Sequence, residues 1–163
     1  MRAVIQRVRR GRVRAGNEVL GSIERGLAVL VGVGKADRAR DAELLADKIV
    51  GLRLFDDDAG RMNRSLKDVG GRVLALPQFT LYADARHGRR PDFTAAAAPE
   101  DGARLYEAFV GFLRGRDVPV ESGRFGSQMQ VELENDGPVT LVLSTDGWRE
   151  GELGGSVTSV RGG

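Results

Sequence analysis

Two hydrophobic periods divide the chain. Ala3-Val4-Ile5-Gln6-Arg7-Val8 is β-rich, and Arg12-Val13-Arg14-Ala15 alternates apolar and basic positions, so both read as strands. Gly16-Asn17 signals a turn, and Val19 to Ile23 begins a further strand. Leu27-Ala28-Val29-Leu30-Val31-Gly32-Val33 is an unbroken apolar run of strand length, which predicts burial on both faces. Together these segments predict antiparallel strands joined by short turns. Between Asp37 and Leu52 the period changes. Ala42, Leu45, Ala46, Ile49 and Leu52 recur at three- and four-residue spacing, which gives one face of a helix with Asp37 as its N-cap and Gly51 near its end. Leu54-Phe55 reads as a short strand before the acidic turn 56–60, and Val73-Leu74-Ala75-Leu76 as a buried strand after Gly70-Gly71.

Residues 82–98 carry no clean period and predict a long loop, a kind of segment that is often functional. Pro99 suits the first turn of a second helix, where Glu100 and Asp101 complement the positive end of the helix dipole. Ala103, Tyr106, Phe109, Val110 and Leu113 form its apolar face, and Gly115 ends it. Met129 to Glu134 alternates, Asn135-Asp136-Gly137-Pro138 reads as a turn, and Val139 to Ser144 returns, which predicts a β-hairpin. The chain therefore reads as one α+β domain, an antiparallel β-sheet or barrel-like core with two helices, over residues 1–146. Residues 147–163 are glycine-rich and polar and read as a flexible C-terminal tail.

Composition narrows the chemistry. Among 163 residues there is no cysteine and a single histidine, His87, so thiol nucleophiles, iron–sulfur clusters and Cys- or His-rich metal sites are not expected. No metal or cofactor is implied. No apolar run approaches the roughly 18–20 residues of a membrane span, and the N-terminus turns polar too early for a secretory signal. A cytoplasmic protein without a membrane partner is the expectation. The net charge is only +2, but its distribution is uneven. Arg2, Arg7, Arg9, Arg10, Arg12 and Arg14 crowd the first fourteen residues, and Arg86, His87, Arg89 and Arg90 form a second cluster. Such clusters are usually solvated faces; the sharper reading is a surface that meets phosphates.

Local chemistry leaves few candidates. No Gly-x-Ser-x-Gly elbow is present, and His87 has no carboxylate near it in sequence to orient it. Gly32-x-Gly34-Lys35 lacks the full phosphate-loop pattern, and Asp56-Asp57-Asp58 lacks calcium-loop spacing. Two segments remain. Pro77-Gln78-Phe79-Thr80-Leu81 places an amide, a hydroxyl and free backbone N–H groups at a strand end, and Asn135-Asp136-Gly137-Pro138-Val139-Thr140 is a Gly-Pro turn. Each also has an ordinary structural reading, as a strand terminus and as a hairpin turn.

Over about residues 1–145 the chain resembles the bacterial D-aminoacyl-tRNA deacylases. The resemblance is carried by Met1-x-Ala3-Val4-Ile5-Gln6-Arg7-Val8, Arg61-Met62-Asn63, Gly70-Gly71-x-Val73-Leu74 and Pro91-x-Phe93. It continues through Leu105-Tyr106-x-x-Phe109, Gly123-Arg124-Phe125, Met129-x-Val131 and a complete Asn-x-Gly-Pro-Val-Thr motif at 135–140. The family's Ser-Gln-Phe-Thr-Leu motif is present with Pro77 in place of serine. The resemblance implies the deacylase fold and a homodimer that hydrolyses the ester joining a D-amino acid, or glycine, to the 3′ end of tRNA. It implies Gln78, Phe79 and Thr80 at the reaction centre, with Phe125 and Met129 in support. It also implies a cis Gly137–Pro138 peptide, held by Arg7, that enters the partner's site and excludes L side chains. Arg86, Arg89 and Arg90 are candidates for tRNA contact. The expected mechanism is attack by water, assisted by the neighbouring ribose hydroxyl of the tRNA, with backbone N–H groups near Phe79 and Thr80 as oxyanion donors, ahead of a covalent Thr80 nucleophile. Pro77 is shared with an animal branch that removes certain L-amino acids, so that branch is one alternative. A non-catalytic tRNA-binding module and a purely structural dimer are the others.

Overall fold

The computed structural model describes residues 1–147 together with 158–159. The strands are β1 (Arg2–Ala15), β2 (Glu18–Ile23), β3 (Gly26–Gly32), β4 (Arg53–Asp56), β5 (Met62–Ser65), β6 (Arg72–Pro77), β7 (Val120–Ser122), β8 (Gln130–Ser144) and β9 (Thr158–Ser159). The helices are α1 (Ala39–Gly51) and α2 (Pro99–Arg114), and a 3-10 turn occupies Phe79–Tyr82. Apart from Gly147 and β9, which pairs with β8, the predicted tail lies outside the described residues. No helix among the described residues is long and apolar enough to cross a membrane.

The main sheet runs β7-β6-β3-β1-β8-β9, with β2 paired to the second half of β1. It is mixed: β1 pairs antiparallel with β2, β3 and β8, whereas β3–β6 and β6–β7 are parallel. The parallel pair arises because α1 and the β4–β5 hairpin carry the chain back between β3 and β6, and a crossover of that length returns a strand in the same direction. The sheet curls until β2 abuts β7: a Cβ at Gly21 would stand 3.0 Å from the Glu121 side chain. The result is a nearly closed, barrel-like α+β fold with two helices.

The alternation within β3 and β6 explains their unbroken apolar runs. Leu27, Val29, Val31, Val73 and Ala75 face a core shared with Ala42, Leu45 and Ile49 of α1 and Leu105, Tyr106, Phe109 and Leu113 of α2. Ala28, Leu74 and Leu76 face the opposite way, into a second cluster with Val8, Val13 and Ile23 inside the curl. Burial on both faces follows, as the sequence predicts.

Two local expectations are corrected. The first concerns the hairpin at 135–138. β8 does not reverse there; it runs as one strand antiparallel to β1 from Arg14↔Gln130 to Arg2↔Ser144. Between the pairs Val8↔Asn135 and Gln6↔Thr140, β8 takes five steps against two on β1. The Gly-Pro segment is thus a loop inserted in a strand. The turn-forming residues supply the excursion, and the matching apolar alternation of β1 pins both sides of it. The second correction concerns α1. Its N-cap is Arg38, whose N–H donates to Asp41 (2.9 Å), and Asp37 lies outside the helix with other partners. The first strand is also longer than predicted, a single β1 through Gly11, where Leu133 and Leu74 side chains would lie 3.1 Å from an added Cβ.

Candidate active site

β6 delivers the first candidate segment. Its last residue, Pro77, pairs with Val31, and the Gln78 N–H donates to the Val31 carbonyl (2.8 Å). The chain then turns into the 3-10 segment, whose first internal bond runs from the Leu81 N–H to the Gln78 carbonyl (3.3 Å). The N–H groups of Phe79 and Thr80 precede that bond and have no acceptor within the turn. The Gln78 side-chain amide donates to the Thr80 hydroxyl oxygen. Among the described residues no carboxylate or imidazole is hydrogen-bonded to Thr80.

A cavity of about 640 Å³ opens at this strand end, lined by Gln78, Phe79, Phe93, Phe125, Met129 and Val131 among others. Phe79 is 54% exposed and meets Phe93 edge to face, with ring centroids 5.2 Å apart. The opposite wall, residues 123–129, is fixed from beneath. Gly123 donates its N–H to Ala75 (2.8 Å), and the Tyr106 hydroxyl bonds the Ala75 carbonyl (2.9 Å) and Ser122 (2.8 Å). Burial raises the Tyr106 hydroxyl well above the ordinary phenol range, so it remains a hydrogen-bond donor. Nothing in the sequence signals this support except a tyrosine on an apolar helix face.

The Gly-Pro loop lies elsewhere. Gly137–Pro138 is a cis peptide, both residues are exposed, and neither lines the cavity. Its anchor is Arg7, only 7% exposed, whose Nε donates to the Asp136 carbonyl (3.0 Å) and whose NH1 donates to the Leu54 carbonyl (2.7 Å). One chain therefore brings Gln78, Phe79, Phe125 and Met129 together, with Thr80 beside them, and leaves Gly137 and Pro138 apart.

The family model for D-Tyr-tRNA(Tyr) deacylase matches residues 4–144. The chain belongs to this deacylase family. It is 58% identical over 145 residues to a D-aminoacyl-tRNA deacylase of Chloroflexus aurantiacus, covering 89% of this chain and 91% of that one. A Thermus aquaticus protein of the same name is 55% identical, with 89% and 95% covered. Among solved structures, a protein described as c-Myc DNA Unwinding Element Binding Protein superposes with a TM-score of 0.82 at 37% identity, over 88% of this chain and 98% of that one. A probable eukaryotic D-amino acid tRNA deacylase shares the fold at a TM-score of 0.71 and 20% identity, over 84% and 95%.

The basic residues of this deacylase-family chain divide into two groups. Most arginines of β1 are spent on β8 or its flanks: Arg9 pairs with Asp136, Arg10 with Glu134 (2.7 Å) and Arg14 with Glu132 (2.9 Å). Arg86 grips Asp84, holding that carboxyl down at about 2. Arg89 and Arg90 are exposed in the same loop. The base of the loop is tied to the segment that follows β3 by Ala97 N–H to the Val33 carbonyl (2.9 Å) and Lys35 N–H to the Ala95 carbonyl (3.1 Å).

Proposed function

We propose that the chain hydrolyses the ester of D-aminoacyl-tRNA, and of glycyl-tRNA, releasing the free amino acid and a tRNA with its 3′-terminal hydroxyl restored. The observation that carries this reading is the strand-end cavity of Gln78 and Phe79, with N–H groups unpaired in the turn, in a chain that belongs to the deacylase family. Water attacks the ester carbonyl assisted by the neighbouring ribose hydroxyl of the tRNA, the Phe79 and Thr80 N–H groups stabilise the oxyanion, and the C–O bond to the ribose breaks as the proton from the water passes to the leaving ribose oxygen. An ester is already activated, so the absence of cysteine and of His87 from the cavity lining is no obstacle. Thr80 is auxiliary: its oxygen accepts from Gln78, and no base stands ready to take its proton.

Handedness comes from a wall of backbone. The Gly137–Pro138 loop, anchored by Arg7, enters the site of a second copy and blocks any side chain with the L arrangement. Its separation from the cavity within one chain supports that crossed homodimer, as does the exposure of Phe79, Val131 and Val142. Glycine has no side chain to block and is cleaved as well. Arg89 and Arg90 meet acceptor-end phosphates. Incubation with D-Tyr-tRNA, L-Tyr-tRNA and Gly-tRNA tests the reading: D-tyrosyl and glycyl esters are cleaved and the L-tyrosyl ester is spared. Equal cleavage of both tyrosyl esters would take the chain out of the D-specific class, preferential cleavage of the L ester would favour the L-specific branch, and binding without cleavage would make it a tRNA-binding module.

A further inference from the structure

Tyr82 ends the 3-10 turn that carries Phe79 and Thr80, and it does not line the cavity. Its ring is seated against the end of β3. A Cβ at Gly34 would stand 2.6 Å from that ring, so this position must lack a side chain for the ring to fit, and one at Gly32 would crowd it at 3.2 Å. The Arg2 guanidinium lies over the ring, 4.4 Å from its centroid, and Arg2 NH1 donates to the Leu81 carbonyl (3.1 Å). The Tyr82 hydroxyl donates to Asp37 Oδ2 (3.0 Å). That carboxylate also accepts the Gly34 N–H (2.6 Å) and, through Oδ1, the Met1 amine (2.6 Å). Burial and the facing carboxylate keep the hydroxyl protonated far above its usual range.

The turn is therefore fastened at two ends by different means. Gln78 is tied to β3 by a backbone bond, whereas Leu81 and Tyr82 depend on Arg2 and Asp37 side chains. We propose that Tyr82, acting through Asp37 and Arg2, is a positioning residue for the ester hydrolysis: it fixes the turn on which the Phe79 and Thr80 N–H groups are carried. The inference rests on the deacylase reading above. Its physical basis is that donors to a developing oxyanion help only when they are already in place.

Tyr82→Phe keeps the ring, its seat on Gly32 and Gly34 and its contact with Arg2, and deletes only the bond to Asp37. The expected result is a roughly tenfold fall in kcat on D-Tyr-tRNA with KM within about twofold. Amide hydrogen exchange should quicken at Leu81 and Ala83, whose N–H groups close the turn onto Gln78 and Thr80, and nowhere else. Asp37→Asn, whose amide oxygen still accepts from the hydroxyl, should retain more kcat than Asp37→Ala. Unchanged kcat and exchange in Tyr82→Phe would overturn the proposal. So would losses that follow melting temperature across the three variants, because they would mark a merely structural role. If the wild-type protein cleaves no D-aminoacyl ester, the deacylase reading fails by itself. The exchange measurement then decides: faster exchange confined to Leu81 and Ala83 upholds the fastening, and unchanged exchange refutes it.

Discussion

Arg7→Met is the sharpest test of how the Gly-Pro loop is held. Methionine keeps most of the apolar stem and removes the guanidinium fork. Two carbonyl oxygens lose their donor, that of Leu54 at 2.7 Å and that of Asp136 at 3.0 Å, at a residue 7% exposed. An acceptor left without a partner in a buried setting costs about 1–3 kcal/mol. Relief of the arginine's own desolvation and the new apolar contacts offset part of this, so a net loss of about 2–4 kcal/mol is expected. For a domain of this size each kcal/mol moves the melting temperature by about 2–4 °C, which gives a fall of roughly 4–16 °C. Calorimetry reads that fall. The ratio of D-Tyr-tRNA to L-Tyr-tRNA cleavage, measured well below the melting point, reads the loop itself and should drop as the wall loosens. A variant that melts within about 1 °C of wild type and keeps its D/L ratio would show that the carbonyls do not depend on Arg7.

Thr80→Ala is expected to retain measurable deacylation, within about tenfold of wild type, because the proposed donor is a backbone N–H; an aminoacyl adduct trapped on Thr80 would reverse the assignment. Sedimentation should give a dimer, and a fully active monomer would contradict the crossed site. Replacing Arg89 and Arg90 together by alanine should weaken tRNA binding and flatten its salt dependence by roughly 1.4–1.8 units of log–log slope. Asp84 should titrate at about 2 in carbon-detected NMR. Its folded value lies below the unfolded one, so the Asp84–Arg86 contact persists above the ordinary carboxylate range and is lost as pH falls through about 2. In Arg86→Ala the midpoint should move back toward the usual aspartate value of about 3.9.

Elements with a strong local period were legible from the sequence. The 3.6-residue recurrence from Ala42 to Ile49 and from Tyr106 to Leu113 located α1 and α2, the apolar run of β3 announced burial on both faces, and that of β6 a buried strand. The Gly-Pro segment shows where local reading stops. Asn135 to Pro138 favour a turn in any context; only the register of β1, more than a hundred residues earlier, shows that β8 continues past them. Asp37 is similar, since its partners Met1 and Tyr82 lie 36 and 45 residues away and no spacing rule connects them. β5 was missed because Met62-Asn63-Arg64-Ser65 has no apolar alternation and pairs only with β4. The segments at 77–81 and 135–140 were found as motifs, but their separation in space needed the fold.

The excursion in β8 has a mechanical consequence. A hairpin tip is a cantilever: it is clamped at one end of its stem and can swing about that base. The Gly-Pro segment is instead an arch whose two feet stand on the same seam, Asn135 opposite Val8 and Thr140 opposite Gln6, with Arg7 as a strut between them. An arch cannot tilt unless a foot lifts, and lifting either foot unzips β1 from β8. The sieve proposed above sorts mirror images by bulk alone and calls for a rigid edge; the β1–β8 seam beneath the Gly-Pro arch is a source of that stiffness.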